Sequence, residues 1–227
     1  MTTDTLIDNT NLVPQVLKQL TAYFAMLPGI GRKTATRLAY YMILNFPESE
    51  QKQLGELIKT ISKNIKKCSF CNVVSDTDPC SVCANTTRDN LVLLVVESSL
   101  DVYKIEQIGG YKGIYYVLED DTEYKTQMKS KDYEYVDRTI IKKLTRRVCN
   151  LVKQLKKGQK LEVIFGLPID IKNQGIINLL KDKLIEKCGE KIKFSRLAVG
   201  MSIGADIDFV DPHTLLSAIS NRQHLED

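Results

Sequence analysis

Leu27-Pro28-Gly29-Ile30-Gly31-Arg32-Lys33-Thr34-Ala35-Thr36-Arg37-Leu38-Ala39 decides how the first part of the chain folds. Gly29 and Gly31 bracket Ile30 in a tight turn, where missing side chains permit positive φ and let backbone N–H groups approach an anion. A helix starting near Arg32 aims its unsatisfied N–H groups and the positive end of its dipole at the same point. Lys33 and Arg37, one turn apart, add charge. Ala35 and Leu38 are expected to point inward.

Proline, two glycines around an apolar residue, and small and apolar residues at helical spacing form a helix-hairpin-helix pattern. It grips a nucleic-acid backbone without reading bases, and it makes Gly29, Gly31, Arg32, Lys33 and Arg37 candidate DNA contacts. Upstream, Asn11 and Pro14 read as an N-cap and an early first-turn proline, with Val16, Leu20, Phe24 and Leu27 at helical spacing. Arg32 to about Asn45 forms the second helix. A third, from about Ser49, carries Leu54, Leu57, Ile58, Ile61 and Ile65 on one face. One hairpin offers few phosphate contacts, so an oligomer is expected, with Leu17, Leu20 and Phe24 as candidate contacts.

Working outward, Cys68-Ser-Phe-Cys71 and Cys80-Ser-Val-Cys83 are two thiolate pairs separated by a turn-rich spacer. Such pairs supply the tetrahedral sulfur cage that Zn²⁺ favours, and four sulfur ligands leave no position for a water nucleophile. The expected cofactor is one structural Zn²⁺ per chain. Cys149 and Cys188 fall on apolar registers of expected helices and read as small core residues.

After Thr87 strands and helices alternate. Strands are expected at Leu91–Val96, Ile114–Leu118, Leu161–Phe165 and Ile192–Val199, with a short fifth at Asp206–Val210. Helices are expected after Ser98 and Ser99, with Val102, Ile105 and Ile108 inside, and over Asp137–Lys157, Asn173–Cys188 and Pro212–Ser220. Glu119 to Tyr135 reads as an exposed loop. The fold class is α+β and multi-module: a helix-hairpin-helix module (1–66), a four-cysteine zinc knuckle (67–87), an α/β domain (88–199) and a C-terminal strand/helix segment (200–227). The Lys and Arg of 142–157 form the outer face of an amphipathic helix, which leaves open a second DNA contact.

Glu97 ends the first strand of the α/β part and Asp101 follows, where such folds place functional groups. A Val-Val-Glu ending resembles the Toprim domain of topoisomerases and primases, whose chemistry needs a later Asp-x-Asp for Mg²⁺. After the third strand stands Pro168-Ile169-Asp170-Ile171-Lys172-Asn173, with one carboxylate and a cation. Asp206-Ile207-Asp208 lies one strand too late. No catalytic residue is assigned. The alternative is a divergent Toprim nuclease or primase using Glu97 and Mg²⁺.

The chain has 227 residues, 43% hydrophobic and 26% charged, with a net charge of +4 that does not by itself announce a nucleic-acid partner. No apolar run approaches membrane-spanning length, and the first twelve residues carry no Lys or Arg, so a cytoplasmic protein with reduced thiols is expected.

In order, the Pro-Gly-Ile-Gly hairpin, the four-cysteine knuckle, Val95-Val96-Glu97 with Asp101-Val102, Gly113 with Tyr116-Val117-Leu118, and Arg196 to Asp211 resemble the RecR family of bacterial recombination mediators. The likeness spans about Val13 to Arg222. It implies a non-enzymatic, ring-like tetramer around DNA that works with RecO, and in many bacteria RecF, to load RecA on gapped single strands. It also implies partner contacts at Glu97 and Asp101. The chain departs from the family at Glu119-Asp120-Asp121, which opens a different insert, and at Pro168–Asn173, where the family carries two glutamates after Asn-Pro.

Overall fold

The computed structural model describes residues 12–118 and 138–222, and the chain divides into two compact units, Met1–Asn64 and Ile65–Asp227. Asn11, the 119–135 loop and His224 lie outside the described residues.

The first unit holds α1 (Gln15–Ala25), α2 (Arg32–Leu44) and α3 (Glu48–Asn64). Ala35 and Ala39, one turn apart and fully buried, let α1 approach α2 closely, with Leu17 buried beside them. Leu38, expected inside, is exposed, because the buried stripe follows the i, i+4 alanine pair instead. Pro14 occupies the N-cap position of α1 and brings no side-chain cap. No residue of α3 is buried, and Leu57, Ile58 and Ile61 are each about 60% exposed.

The second unit opens with an antiparallel pair, β1 (Lys66–Lys67) and β2 (Val74–Ser75), and a single turn, α4 (Ser81–Ala84). Then come β3 (Asp89–Val96), α5 (Ser99–Ile108), β4 (Gly113–Val117), α6 (Arg138–Lys153), β5 (Leu161–Gly166), α7 (Ile171–Cys188) and β6 (Ile192–Arg196). The four long strands form one parallel sheet in the order β4-β3-β5-β6. Apolar residues run without a break along β3 because both faces are covered. Leu93 and Val95 pack with Leu144, Val148 and Leu151 of α6 and Leu180 and Leu184 of α7. Leu94 and Val96 pack with Val102 of α5 and with the cysteine knuckle. Ile108, expected inside α5, is exposed.

Two further expectations change. Asp206–Val210 is no strand: Ile207–Phe209 is a 3₁₀ turn in which Asp206 Oδ1 accepts from Asp208 N at 3.2 Å, so the backbone is satisfied locally without a neighbouring strand. A closing helix, α8 (Pro212–Ser220), follows, capped by Asp211 Oδ1 on Thr214 N at 3.0 Å. Cys149 and Cys188, read as core thiols, are joined in a disulfide with a Cα–Cα distance of 5.1 Å, linking α6 to the last residue of α7. Facing positions on two helices 39 residues apart are set by helix packing, which spacing alone does not reveal.

A polar network ties β3, α5 and β4 together. Arg88 grips Glu106 with both terminal nitrogens, Nη1 at 2.9 Å, and Nη1 also donates to Tyr111 O at 2.9 Å. Tyr115 Oη donates to Glu106 Oε1 at 2.6 Å. Burial pushes the Glu106 carboxyl up, but the donors from Arg88 and Tyr115 outweigh it and hold the group below its ordinary 4.5. As the pH falls, the unfolded chain is protonated at Glu106 first, so the stability this carboxylate contributes is complete above 4.5 and is lost below it. Urea midpoints of wild type should therefore decline more steeply than those of Glu106→Gln between about pH 5 and pH 3. Parallel declines would refute a stabilising Glu106.

Candidate nucleic-acid interface and zinc centre

The knuckle is built by backbone turns that aim sulfur inward. Cys68 N donates to Val73 O and Asn72 N to Cys68 O, both at 2.8 Å, with Asn72 at φ +65° closing the first turn. In the spacer Asp78 Oδ1 accepts from Ser69 N and Oγ, both at 2.8 Å, and the Asp78–Pro79 peptide is cis. Cys80 N points at Cys68 Sγ and Cys83 N at Cys80 Sγ, each at 3.4 Å.

The sulfurs of Cys68, Cys71, Cys80 and Cys83 all lie within 4.8 Å of one another, with Cys71 and Cys80 at 3.6 Å. Four sulfurs placed tetrahedrally about 2.3 Å from a zinc ion stand about 3.8 Å apart, so the cage fits that ion. A hydrogen bond from Cys71 pushes the Cys68 thiol down, and the same contact pushes Cys71 up. A divalent ion resolves that conflict by taking all four as thiolates.

The knuckle shares its core with the sheet. Val117 N donates to Cys71 O at 2.8 Å, Asn72 Nδ2 to Val117 O at 3.1 Å, and Val74 N to Ser99 Oγ at 3.0 Å. Tyr103 Oη donates to Val74 O.

In the first unit Gly29 has φ +79°, where a Cβ is strained whatever space surrounds it. Gly31 differs from the expectation. It sits at φ −75°, ψ 160°, an extended conformation open to any residue, and a Cβ there would meet nothing within 4 Å. Gly31 is the N-cap of α2 without a side chain to satisfy the first N–H groups, and no acidic residue stands in the first turn. Lys33 and Arg37 are exposed on successive turns, and Arg32 begins the helix. The fold thus presents backbone donors and cations together, an arrangement suited to a phosphate.

The carboxylates behave differently. Glu97 is exposed immediately after β3, whereas Asp101 Oδ2 accepts from Ser98 N at 2.9 Å and Ser98 Oγ at 3.1 Å and so serves as a cap of α5. Asp170 caps α7 through Asn173 N at 2.6 Å. Among the described residues the one convergent group of three or more Cys, His, Asp or Glu is the four-cysteine cage.

Sequence reading missed a contact between the knuckle and α6. The Arg147 guanidinium lies over the exposed Phe70 ring, 5.1 Å from its centroid. Phe70 between two cysteines was legible only as filler, because its partner is distant in sequence.

Three family models match the chain: the RecR helix-hairpin-helix over residues 17–61, the RecR four-cysteine zinc finger domain over 65–85, and the RecR C-terminal model over 200–223. The chain is 33% identical over 213 residues to Recombination protein RecR of Limosilactobacillus reuteri (strain DSM 20016), covering 93% of this chain and 98% of that one. It is 32% identical over 207 residues to Recombination protein RecR of Bifidobacterium adolescentis, covering 91% and 95%. Against the protein of the same name from Enterococcus faecalis the values are 31% over 212 residues, 93% and 98%.

Metal analysis should return one zinc per chain, and Cys80→Ser should lose it. Because the cage shares a core with β3 and β4, the loss should destabilise the whole second unit by roughly 3 kcal/mol or more rather than loosen one loop. An unchanged melting temperature in Cys80→Ser would contradict this.

Proposed function

The chain belongs to the RecR family of recombination proteins, and from that premise we propose that it is a non-enzymatic DNA-binding mediator of recombinational repair. The observation that carries the proposal is the hairpin: uncapped N–H groups of α2 behind Gly31, with Lys33 and Arg37 exposed beside them. Phosphate held there gains charge-assisted bonds and dipole stabilisation without any base contact, so binding is general in sequence. Arg32 completes the contact.

The mediator reading over a Toprim nuclease or primase is supported by the roles the carboxylates already have. Asp101, Asp170, Asp206 and Asp211 satisfy backbone N–H groups at helix or turn starts. That leaves Glu97 exposed at the strand end, better placed to meet a protein partner than to complete an acid cluster. In this reading RecO, and RecF where present, are the partners, RecA loading on gapped DNA is the outcome, and the protein works in the cytoplasm. No helix among the described residues is long and apolar enough to cross a membrane.

Self-association into a ring, a tetramer by family resemblance, multiplies the hairpin contacts. Leu17 is buried within the hairpin and Leu20 and Phe24 are half-buried, so these three are poor contact residues. The exposed α3 face of Leu57, Ile58 and Ile61 is the better candidate, since water-exposed apolar stripes of this kind are the usual material of subunit contacts.

Lys33→Glu with Arg37→Glu should weaken DNA binding by about tenfold or more and equally across sequences, as fluorescence anisotropy would show. Binding that persists unchanged would refute the hairpin reading. Incubation with Mg²⁺ or Mn²⁺ and single-stranded, gapped or supercoiled DNA should yield no cleavage, relaxation or primer, and a Glu97-dependent activity would favour the Toprim enzyme.

Gly31→Ala should weaken DNA binding at a stability cost below about 1 kcal/mol, since the added methyl meets nothing in the fold, stands where a phosphate would approach, and only makes a poorer N-cap. Gly29→Ala should lower stability by roughly 1 kcal/mol through its positive φ. Leu57→Asp with Ile61→Asp should reduce the mass seen by light scattering, and an unchanged mass would place the subunit contact elsewhere.

A further inference from the structure

Residues 138–160, comprising α6 and the turn after it, hold nine of the chain's 32 Lys and Arg and none of its 28 Asp and Glu. The rest of the chain therefore has 23 cations against 28 anions, and the positive balance of the whole protein comes from this one segment. An ordinary solvated helix face mixes signs, and other helices here do so. Lys52 pairs with Glu48 and Lys59 with Glu56 on α3, and Glu186 pairs with Lys183 and Lys187 on α7. On α6 like charges instead recur at i, i+4, as in Lys142 and Arg146, which disfavours the helix in isolation. Lys142, Arg146, Lys153, Lys156 and Lys157 are all exposed, and no carboxylate pairs with them among the described residues.

The cations are also in register. Lys142, Arg146 and Lys153 fall on one helix face, spanning about 16 Å along the axis, the rise of about five nucleotides of one strand. Arg147 lies on the flank of the same helix, about 120° round its axis from that stripe, and faces the knuckle. Its guanidinium layers on Phe70, whose ring is 45% exposed, and its buried Nε has no hydrogen-bond partner among the described residues. An aromatic ring and a planar cation flanking a cationic stripe offer the kind of platform on which an unstacked base rests in single-strand binding proteins.

We propose that the outer face of α6, flanked by the Arg147–Phe70 pair, is a second nucleic-acid contact surface, separate from the hairpin, that tracks the phosphates of a single strand. It rests on the reading of the chain as a DNA-binding protein and adds a site on the other compact unit. The partner is nucleic acid rather than an acidic protein because a cationic face with no carboxylate among its residues, flanked by an exposed ring, offers both the charge that phosphates need and a surface on which a base can stack.

The test uses the full chain carrying Lys142→Glu, Arg146→Glu and Lys153→Glu, with Lys33→Glu/Arg37→Glu alongside. Affinity for single-stranded and duplex DNA is measured across a salt series, with zinc content and melting temperature verifying the fold. The triple variant should bind single strands about tenfold or more weakly and reduce the slope of log affinity against log salt by about two, near 0.7 for each phosphate released. Single Lys142→Gln and Lys153→Gln variants should each lower that slope by about 0.7, which keeps the test valid if the triple variant misfolds. Phe70→Ala should weaken single-strand binding about fivefold or more without changing the slope, since it removes stacking and no charge. Loss in the α6 variants with intact binding in Lys33→Glu/Arg37→Glu would remove the hairpin and leave this surface standing. Wild-type affinity and slope in the folded α6 variants would overturn it, whatever the hairpin does, and would assign the charged face to another partner. An unchanged Phe70→Ala would overturn the stacking part.

Discussion

Four sulfurs within 4.8 Å of one another repel once ionised and hold together only around a cation, and the second unit is organised about that fact. The cysteines are not a module hung on a linker. Cys68, Cys71 and Cys80 lie in the same apolar cluster as Val96, Val102 and Val117, and Cys71 O accepts from Val117 N where β4 ends. The metal cage therefore stands in for the side chains that would otherwise cover one face of the parallel sheet. Short antiparallel pieces such as β1 and β2 bury too little to persist alone, and here they inherit the stability of the sheet they lean on.

Charge is segregated on top of this framework. Acidic side chains near the strand ends are turned to backbone capping, which fixes helix starts and leaves few carboxylates for chemistry. Basic side chains gather in two places, the start of α2 and the outer face of α6, one on each compact unit. Such a division fits a protein whose task is to hold a polyanion and not to transform it. Net charge conceals it, because an overall +4 averages one cationic helix against a mildly acidic remainder.

Much of the fold was legible because its signals are local. Gly29, the Cys-x-x-Cys pairs, the apolar run of β3 and the 3.6-residue stripe of α6 each declare an element within a few residues, and each stands where expected. Errors arose where a residue had two local choices. Leu38 and Ala39 both suited the buried face of α2, and close helix approach selected the smaller. Asp206-Ile207-Asp208 alternates like a strand, yet the Asp206 carboxylate can hold its own turn, and with no neighbouring strand among the described residues that local bond prevails. Ile108 falls at the last turn of α5, where periodicity persists but no described residue covers it.

By itself the sequence determined the hairpin, the four-cysteine cluster, the four long strands with the helices between them, and the family, since all of these are written in spacing along the chain. Tertiary structure alone decided which distant residues meet: Arg88 with Glu106 and Tyr115, Phe70 with Arg147, Cys149 with Cys188, and the knuckle with β4. It also decided that Gly31 needs no special backbone angle and that α3 keeps its apolar face uncovered among the described residues. Local patterns record a residue's preferred conformation and face, whereas pair contacts depend on how helices and strands stack, and that is settled by packing many side chains at once.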